Sequence, residues 1–216
     1  MMPHKKNKYL QWRRVLICSL GITAVVLLSL WSIGVLDNNF RIVTPGKFYR
    51  SGQMTDQALR RTINAYKIQT VINLKGTSKK PWYLAEKQAA EDCRILYLSV
   101  ELNPWKLPPP DKLAILVHTF QKGPYPMLVH CNAGADRAGL ASVLYRVVVE
   151  HAPLEVALSE QLTWRYGHFT LGKARAMDIF FDLYRQTGTG KDLVSWIIED
   201  YPSIYHRHKA AATQPA

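Results

Sequence analysis

From Val15 to Leu36 the chain runs for 22 residues, VLICSLGITAVVLLSLWSIGVL, without a single charge. At ~1.5 Å rise per residue such a run makes a helix of about 33 Å, enough to cross a hydrocarbon core of roughly 30 Å. It lacks the polar stripe of a core helix and carries only scattered Gly, Ser and Thr, which a membrane helix tolerates. A cleaved signal peptide is the competing reading. Its apolar stretch is typically ~7–15 residues and ends in a small-x-small site, whereas this run is longer and closes on WSIGVLDNNF. The pattern therefore predicts an uncut transmembrane anchor over 15–36. The basic segment before it, residues 1–14, holds Lys5, Lys6, Lys8, Arg13 and Arg14 and no acid, so the positive-inside rule leaves that end in the cytoplasm. Arg41, Lys47 and Arg50 on the far side oppose this vote without reversing it. The expectation is a single-pass protein, its domain outside the cytoplasm, in the periplasm if the membrane is a bacterial inner membrane.

After Asp37 the pattern changes to short apolar runs separated by longer helix-like stretches, which predicts an α/β layer fold over residues 37–201. TVINL (70–74), ILYLSV (95–100) and PMLVH (126–130) read as buried strands, the last with its proline at the strand start, where a missing N–H is tolerated. Helices are predicted over Thr55–Tyr66, with Thr55 as N-cap, and over Pro81–Asp92, with proline in the first turn. Another follows the proline loop of LPPPDKLAILVHTFQKG, from Asp111, read as a cap, to Gly123. The chain then turns mostly helical over Asp136–Glu150, Leu154–Trp164, Lys173–Tyr184 and Lys191–Glu199. Residues 202–216 are predicted to be a flexible tail.

Composition narrows the class. The chain has 216 residues, 28 cations against 16 acids, and 48% hydrophobic types, which excludes disordered and collagen-like chains. Every acid lies at or after Asp37, so residues 37–216 carry 23 cations and a net +7, a balance suited to anionic substrates or lipid heads. No basic helix with interleaved aromatics points to nucleic acid. Cys18, Cys93 and Cys131 cannot build a disulfide framework, and there is no Cys-x-x-Cys pair for zinc. No cofactor is expected, and nothing in the pattern specifies an oligomeric state.

The chemistry concentrates in HCNAGADRAG, His130 to Gly139, between an apolar strand and a helical run. A loop there can wind so that backbone N–H groups converge on one anion, and the helix start adds roughly half a positive charge at the same point. Arg137 stands where its guanidinium can fork onto two phosphate oxygens. Cys131 lies beneath the anion as nucleophile, because thiols at helix starts beside a cation ionise readily. His130 is read as orienting the loop through a ring hydrogen bond. The amides of Asn132, Ala133, Gly134, Ala135, Asp136 and Arg137 form the expected substrate cradle. The bland alternative, an inert buried thiol, fits Cys18 and Cys93 better than Cys131.

His-Cys-x5-Arg resembles the signature of the protein tyrosine phosphatase superfamily, especially its small dual-specificity-like bacterial branch. FYRSGQM (48–54) is similar to a segment that begins many such domains. The resemblance implies a protein-tyrosine-phosphatase-like sheet flanked by helices, here preceded by the transmembrane helix. It also implies a metal-free, two-step hydrolysis through a phosphocysteine on Cys131, with Arg137 and the loop amides stabilising the equatorial oxygens. The acid for the leaving oxygen has two candidates. Glu101 lies 30 residues before the cysteine, where many members have aspartate, and Asp136 matches relatives with Lys-Asp-Arg in the loop, although this chain has Ala135 in place of the lysine.

Ala138 follows the arginine where the family usually has Ser or Thr, so the resemblance leaves open slow phosphocysteine breakdown or a non-catalytic phosphate-binding pseudophosphatase. Neutral side chains at 132, 133 and 135 argue against a highly charged substrate and for a phosphomonoester on tyrosine, another protein residue or a simple lipid; a phospholipid or phosphoinositide phosphatase is the alternative. Lys79, Lys80, Trp105 and Lys106 are read as ordinary surface, with lining of the site's mouth as the alternative. LTWRYGHF (162–169) is read as helix packing followed by a turn at Gly167, with Arg165 or His168 as the side chains that would otherwise reach substrate. Sulfurtransferase and arsenate reductase loops share Cys-x5-Arg but fit the preceding His and the Gly-x-x-Arg-x-Gly run less well.

Overall fold

The computed structural model describes residues 12–26, 38–170 and 175–211. The chain divides into two units, Met1–Asp37 and Asn38–Ala216. In the first, residues 12–26 are helical and their side chains exposed. The Ser19 hydroxyl donates to Leu16 O and the Thr23 hydroxyl to Ser19 O, both at 2.9 Å, so the two polar side chains satisfy themselves on their own backbone. The predicted anchor continues over residues 27–36, which lie outside the described residues, as does most of the basic segment 1–14. Among the described residues no helix is long and apolar enough to cross a membrane.

The second unit is a five-stranded mixed sheet. Its strands are β1 (Arg41–Thr44), β2 (Phe48–Ser51), β3 (Thr70–Asn73), β4 (Leu96–Ser99) and β5 (Met127–His130), in the order β1-β2-β5-β3-β4. Only the β1–β2 pair is antiparallel. The helices are α1 (Asp56–Tyr66), α2 (Pro81–Asp92), α3 (Pro110–Lys122), α4 (Asp136–Val148), α5 (Leu154–Gln161), α6 (Ala176–Thr187), α7 (Leu193–Glu199) and α8 (Tyr201–Ala211), with a 3-10 turn at Trp164–Tyr166.

Side chains alternate across each strand, and both faces are covered. Phe48, Ile72, Met127 and Val129 enter the larger core with α3, α4, α6 and α7. Tyr49, Val71 and Leu128 meet Leu59 and Ile63 of α1 and Ala89 of α2 on the other face. Burial on two faces explains why these strands read as continuous apolar runs rather than alternating ones.

Local signals set many boundaries. Thr55 caps α1, its hydroxyl accepting from Ala58 N at 3.2 Å, and Pro81 opens α2. Asp111 falls inside the first turn of α3, after Pro109 at the cap position. Asp192 caps α7, accepting from Val194 N and Ser195 N, so that helix starts two residues after the predicted Lys191. The predicted Leu154–Trp164 helix stops at Gln161 and resumes only as the 3-10 turn.

Two elements lay outside the predicted pattern. These are β1, a partly exposed RIVT, and β2, whose FYRS places an arginine and a serine in a fully buried strand. The predicted flexible tail is corrected by α8. Tyr201 is fully buried and donates to Pro108 O at 2.9 Å, and Ile204 packs one turn later, anchoring residues 201–211 as helix; residues 212–216 lie outside the described residues.

Candidate active site

The parallel strands β2, β3, β4 and β5 end on one edge, and the loops that leave them meet there, the usual place for a ligand in an open parallel sheet. β5 delivers Cys131, and α4 starts five residues later at Asp136. Gly134 sits between them at φ +72°, and a Cβ on it would fall 2.5 Å from Gly52 N and 2.7 Å from Ser51 C. Here glycine is required twice, by its conformation and by the backbone pressed against it. The segment pressing on it is Ser51-Gly52, part of FYRSGQM.

Four successive carbonyls of this loop are tied to groups outside it. Asn132 O accepts from Gln53 N at 3.0 Å, and Ala133 O from Asn39 Nδ2 at 3.0 Å. Gly134 O and Ala135 O accept from Arg50 Nη2 at 2.7 and 2.9 Å. A trans peptide points its N–H opposite its C=O. Four anchored carbonyls therefore turn the N–H groups of Ala133, Gly134, Ala135 and Asp136 inward, toward the start of α4 and the buried thiol of Cys131. Asn132 and Ala133 are exposed at the mouth, while Gly134 and Ala135 are buried.

Arg50 is the post behind the loop. It is fully buried, also bonds Gln161 O, and lies 4.7 Å over the ring of Tyr166. Burial lowers its pKa to about 10, and the Cys131 charge opposes that fall. Lys75, reaching Gln53 and stacked 3.6 Å over Trp82, is likewise lowered by burial and supported by charges that include Glu86 and Cys131. Two cations beside a helix start thus favour binding of an anion at the loop.

Arg137 projects from the first turn of α4. Its Nη1 donates to Leu74 O at 3.3 Å and Leu102 O at 3.2 Å, and its buried Nε has no partner among the described residues. An unpartnered donor on a guanidinium at the cradle suits an oxyanion. The bond to Leu102 also docks the loop after β4, so Glu101 is brought to the site's edge. Its side chain is exposed and lies over Gly76, where a Cβ would come within 2.7 Å of Glu101 Cβ.

Asp136 lies in the same first turn. Its Oδ1 is 2.7 Å from Nδ1 of His168, whose Nε2 is 3.1 Å from Asp178 Oδ2. His168 is almost wholly buried, which lowers its proton affinity, yet hydrogen bonds to the two carboxylates outweigh this and raise its pKa to about 9. Among the described residues no group of His, Cys, Asp and Glu is arranged to hold a metal ion.

The backbone of Cys131 acts on the His130 ring as a hydrogen-bond partner, and the ring makes no side-chain hydrogen bond among the described residues. Its Nε2 is 3.5 Å from Oε2 of Glu86, a buried carboxyl on α2 that accepts from Tyr97 OH at 3.0 Å. Burial drives His130 down to about 4 and Glu86 up to about 7. His130 orients the loop through its backbone, its carbonyl accepting from Leu74 N at 2.8 Å. Ala138 is fully buried, and the hydroxyl of Ser142, one turn on, returns to Ala138 O at 2.7 Å rather than replacing the missing one.

Sequence reasoning named the loop and both carboxyls but missed their supports: Asn39, Arg50, Glu86 and Asp178. FYRSGQM was the available signal for Arg50. A lone Glu in a helix and an aspartate 42 residues after Asp136 carry none.

With this geometry in place, comparison with known proteins defines the class. The model of the tyrosine phosphatase family matches residues 33–158, and the chain belongs to that family. The class is that of the cysteine-dependent phosphatases. Solved structures share the fold. A cysteine-to-serine variant of Pseudomonas aeruginosa TpbA in complex with pTyr is 20% identical, covering 74% of this chain and 88% of that one, at a TM-score of 0.55. Tk-PTP in its active form is 16% identical over 69% of this chain and 97% of that one, at 0.54. The catalytic core of the PP-IP phosphatase SIW14 from Saccharomyces cerevisiae, bound to citrate, is 16% identical over 72% and 94%, at 0.52. No curated protein matches the sequence.

Proposed function

We propose that the protein is a membrane-anchored phosphomonoester hydrolase of the dual-specificity type, acting through a phosphocysteine. The observation that carries this reading is the set of outward-held carbonyls at residues 132–135, which leaves an inward ring of N–H donors above Cys131. The Sγ of Cys131 attacks phosphorus, an S–P bond forms, and the P–O ester bond breaks. The leaving oxygen takes a proton from a carboxylic acid, Asp136 or Glu101. Water then attacks phosphorus, the S–P bond breaks, and phosphate leaves as the thiolate is restored. Arg137 and the inward amides bear the equatorial charge, which in such sites is usually the largest catalytic contribution.

A phosphorylated protein residue is the favoured substrate, in keeping with the uncharged side chains at 132, 133 and 135. The pTyr complex of a TpbA variant supports the same class. A phosphorylated lipid is the second reading. The uncharged run ends at Leu36, and Asn39, three residues later, already bonds the loop. Exposed Trp164 and Phe169 flank Gly167, where a Cβ would lie 3.7 Å from that of Ala135. Anchoring through residues 15–36 and a periplasmic domain complete the proposal.

Full-length protein in detergent is expected to hydrolyse an aryl phosphate, with vanadate blocking it and Cys131→Ser abolishing turnover while phosphate binding remains. Phosphate binding without hydrolysis by the wild type would overturn the enzyme reading. Parallel assays on phosphotyrosine peptides and on phospholipid micelles decide the substrate class.

A further inference from the structure

The His168 bridge is not needed to build the loop, whose carbonyls are already held by Gln53, Asn39 and Arg50. Yet a nearly buried imidazole is bonded through both nitrogens to carboxylates from two different helices, Asp136 of α4 and Asp178 of α6. We propose that His168, clamped by Asp178, is the positioning residue that fixes the carboxyl of Asp136 at the mouth of the phosphate cradle for proton transfer to the leaving oxygen. This rests on the phosphatase reading above and chooses between its two candidate acids.

Three observations converge. First, the His168 bond reaches Oδ1 of Asp136, a residue whose side chain keeps 25% exposure, so one oxygen is held while the group still faces solvent at the mouth. Second, the segment carrying His168 is fastened to the phosphate loop at independent points. Asn39 Nδ2 bridges Ala133 O and Tyr166 O at 3.0 and 2.9 Å, and Arg50 lies under the Tyr166 ring. Third, Glu101 has no comparable support among the described residues and lies exposed over Gly76.

The second carboxylate has a clear electrostatic use. The groups whose charges act on His168 are Asp136 and Asp178, which together hold the ring protonated to about pH 9. Asp178 neutralises the imidazolium, so Asp136 receives its hydrogen bond from a pair of no net charge. Asp136 is then not the sole counter-ion of the ring. Over a turnover Asp136 gives a proton to the leaving oxygen and recovers one from the attacking water, which leaves the carboxyl unchanged.

The test compares two substrates of the full-length protein, an aryl phosphate with a good leaving group and an alkyl phosphate with a poor one. His168→Ala is expected to lower kcat for the poor leaving group at least tenfold more than for the good one, with KM changed less than about twofold. His168→Asn, which keeps a donor near the position of Nδ1, is expected to recover part of that loss. Asp178→Asn, at a partly exposed position, is expected to show the same selective loss at smaller size, and serves if the buried variants fold poorly. Equal losses on both substrates, or a selective loss for Glu101→Gln with none for Asp136→Asn, would overturn the proposal. A parallel NMR titration reads the clamp without turnover. The His168 ring is expected to titrate near pH 9 in the wild type and lower in Asp178→Asn, and an ordinary histidine value in the wild type would also defeat the proposal. If the wild type hydrolyses neither substrate, the phosphatase reading fails and the proposal with it, whereas activity without the selective loss rejects the proposal alone.

Discussion

Two buried histidines lie at the edges of the same loop and behave oppositely. His130 and His168 are each only 2% exposed. The His130 ring has no side-chain hydrogen bond among the described residues, and burial pushes it to about 4. His168 bonds two carboxylates, and their charge carries it to about 9 in spite of burial. The one acid near His130 does not rescue it, because Glu86 is itself driven toward neutrality, to about 7. Burial discharges an imidazole unless ionised partners touch it directly. The molecule thus has a neutral polar side, under α2, and a charged side between α4 and α6.

The sheet register explains the neutral side. Ser51, His130, Asn73 and Ser99 stand at one level across four strands and share the face covered by α1 and α2. Asn73 Nδ2 donates to Tyr97 OH, which donates to Glu86. The opposite face is mostly apolar, with Thr70 bonded to Pro124 O and the charge of Arg50 spent on the loop carbonyls.

Breaking the charged side at its strongest point is expected to have the largest effect. Arg50→Met leaves the carbonyls of Gly134 and Gln161 without their donor and removes one of two from Ala135. At ~1–3 kcal/mol for each unsatisfied buried group the loss is about 3 kcal/mol or more. Denaturant unfolding checks the stability, and turnover is expected to fall on the order of 100-fold as the amide ring loosens.

The pH dependence of stability separates the two histidines. His168 is raised in the folded state, so its contribution is fully present below about 6.5 and is lost as pH rises through about 9. His130 is depressed, so its contribution is present above about 6.5 and is lost as pH falls through about 4. Unfolding curves of His168→Gln should therefore approach those of the wild type only on the alkaline side.

A smaller effect is expected for Glu86→Gln. The raised carboxyl favours folding fully below about 4.5, and that advantage fades as pH rises through about 7. An amide cannot ionise, so the variant should exceed the wild type above pH 7 by roughly 1 kcal/mol, about 2–4 °C in melting temperature. A lower melting temperature there would mean that the ionised Glu86 and His130 attract more than burial costs.

The smallest effect is kinetic. Ala138→Ser places a hydroxyl at the first turn of α4 and is expected to speed breakdown of the phosphocysteine about twofold to fivefold. Pre-steady-state release of the alcohol shows this as a reduced burst. No change would mean that breakdown does not limit turnover.

The sequence by itself determined the phosphate loop, because a nucleophile, a glycine turn and a helix start occupy ten consecutive residues, and local chemistry does not depend on the rest of the fold. It also determined three strands and most helices, where apolar runs and caps such as Thr55 act over a few residues. Only the tertiary structure decided which side chains surround that loop. Arg50, Asn39, Glu86 and His168 arrive from segments 32 to 94 residues away from the loop groups they touch or face. Their roles come from desolvation and from partners across the chain, and neither leaves a periodic mark in the order of the amino acids.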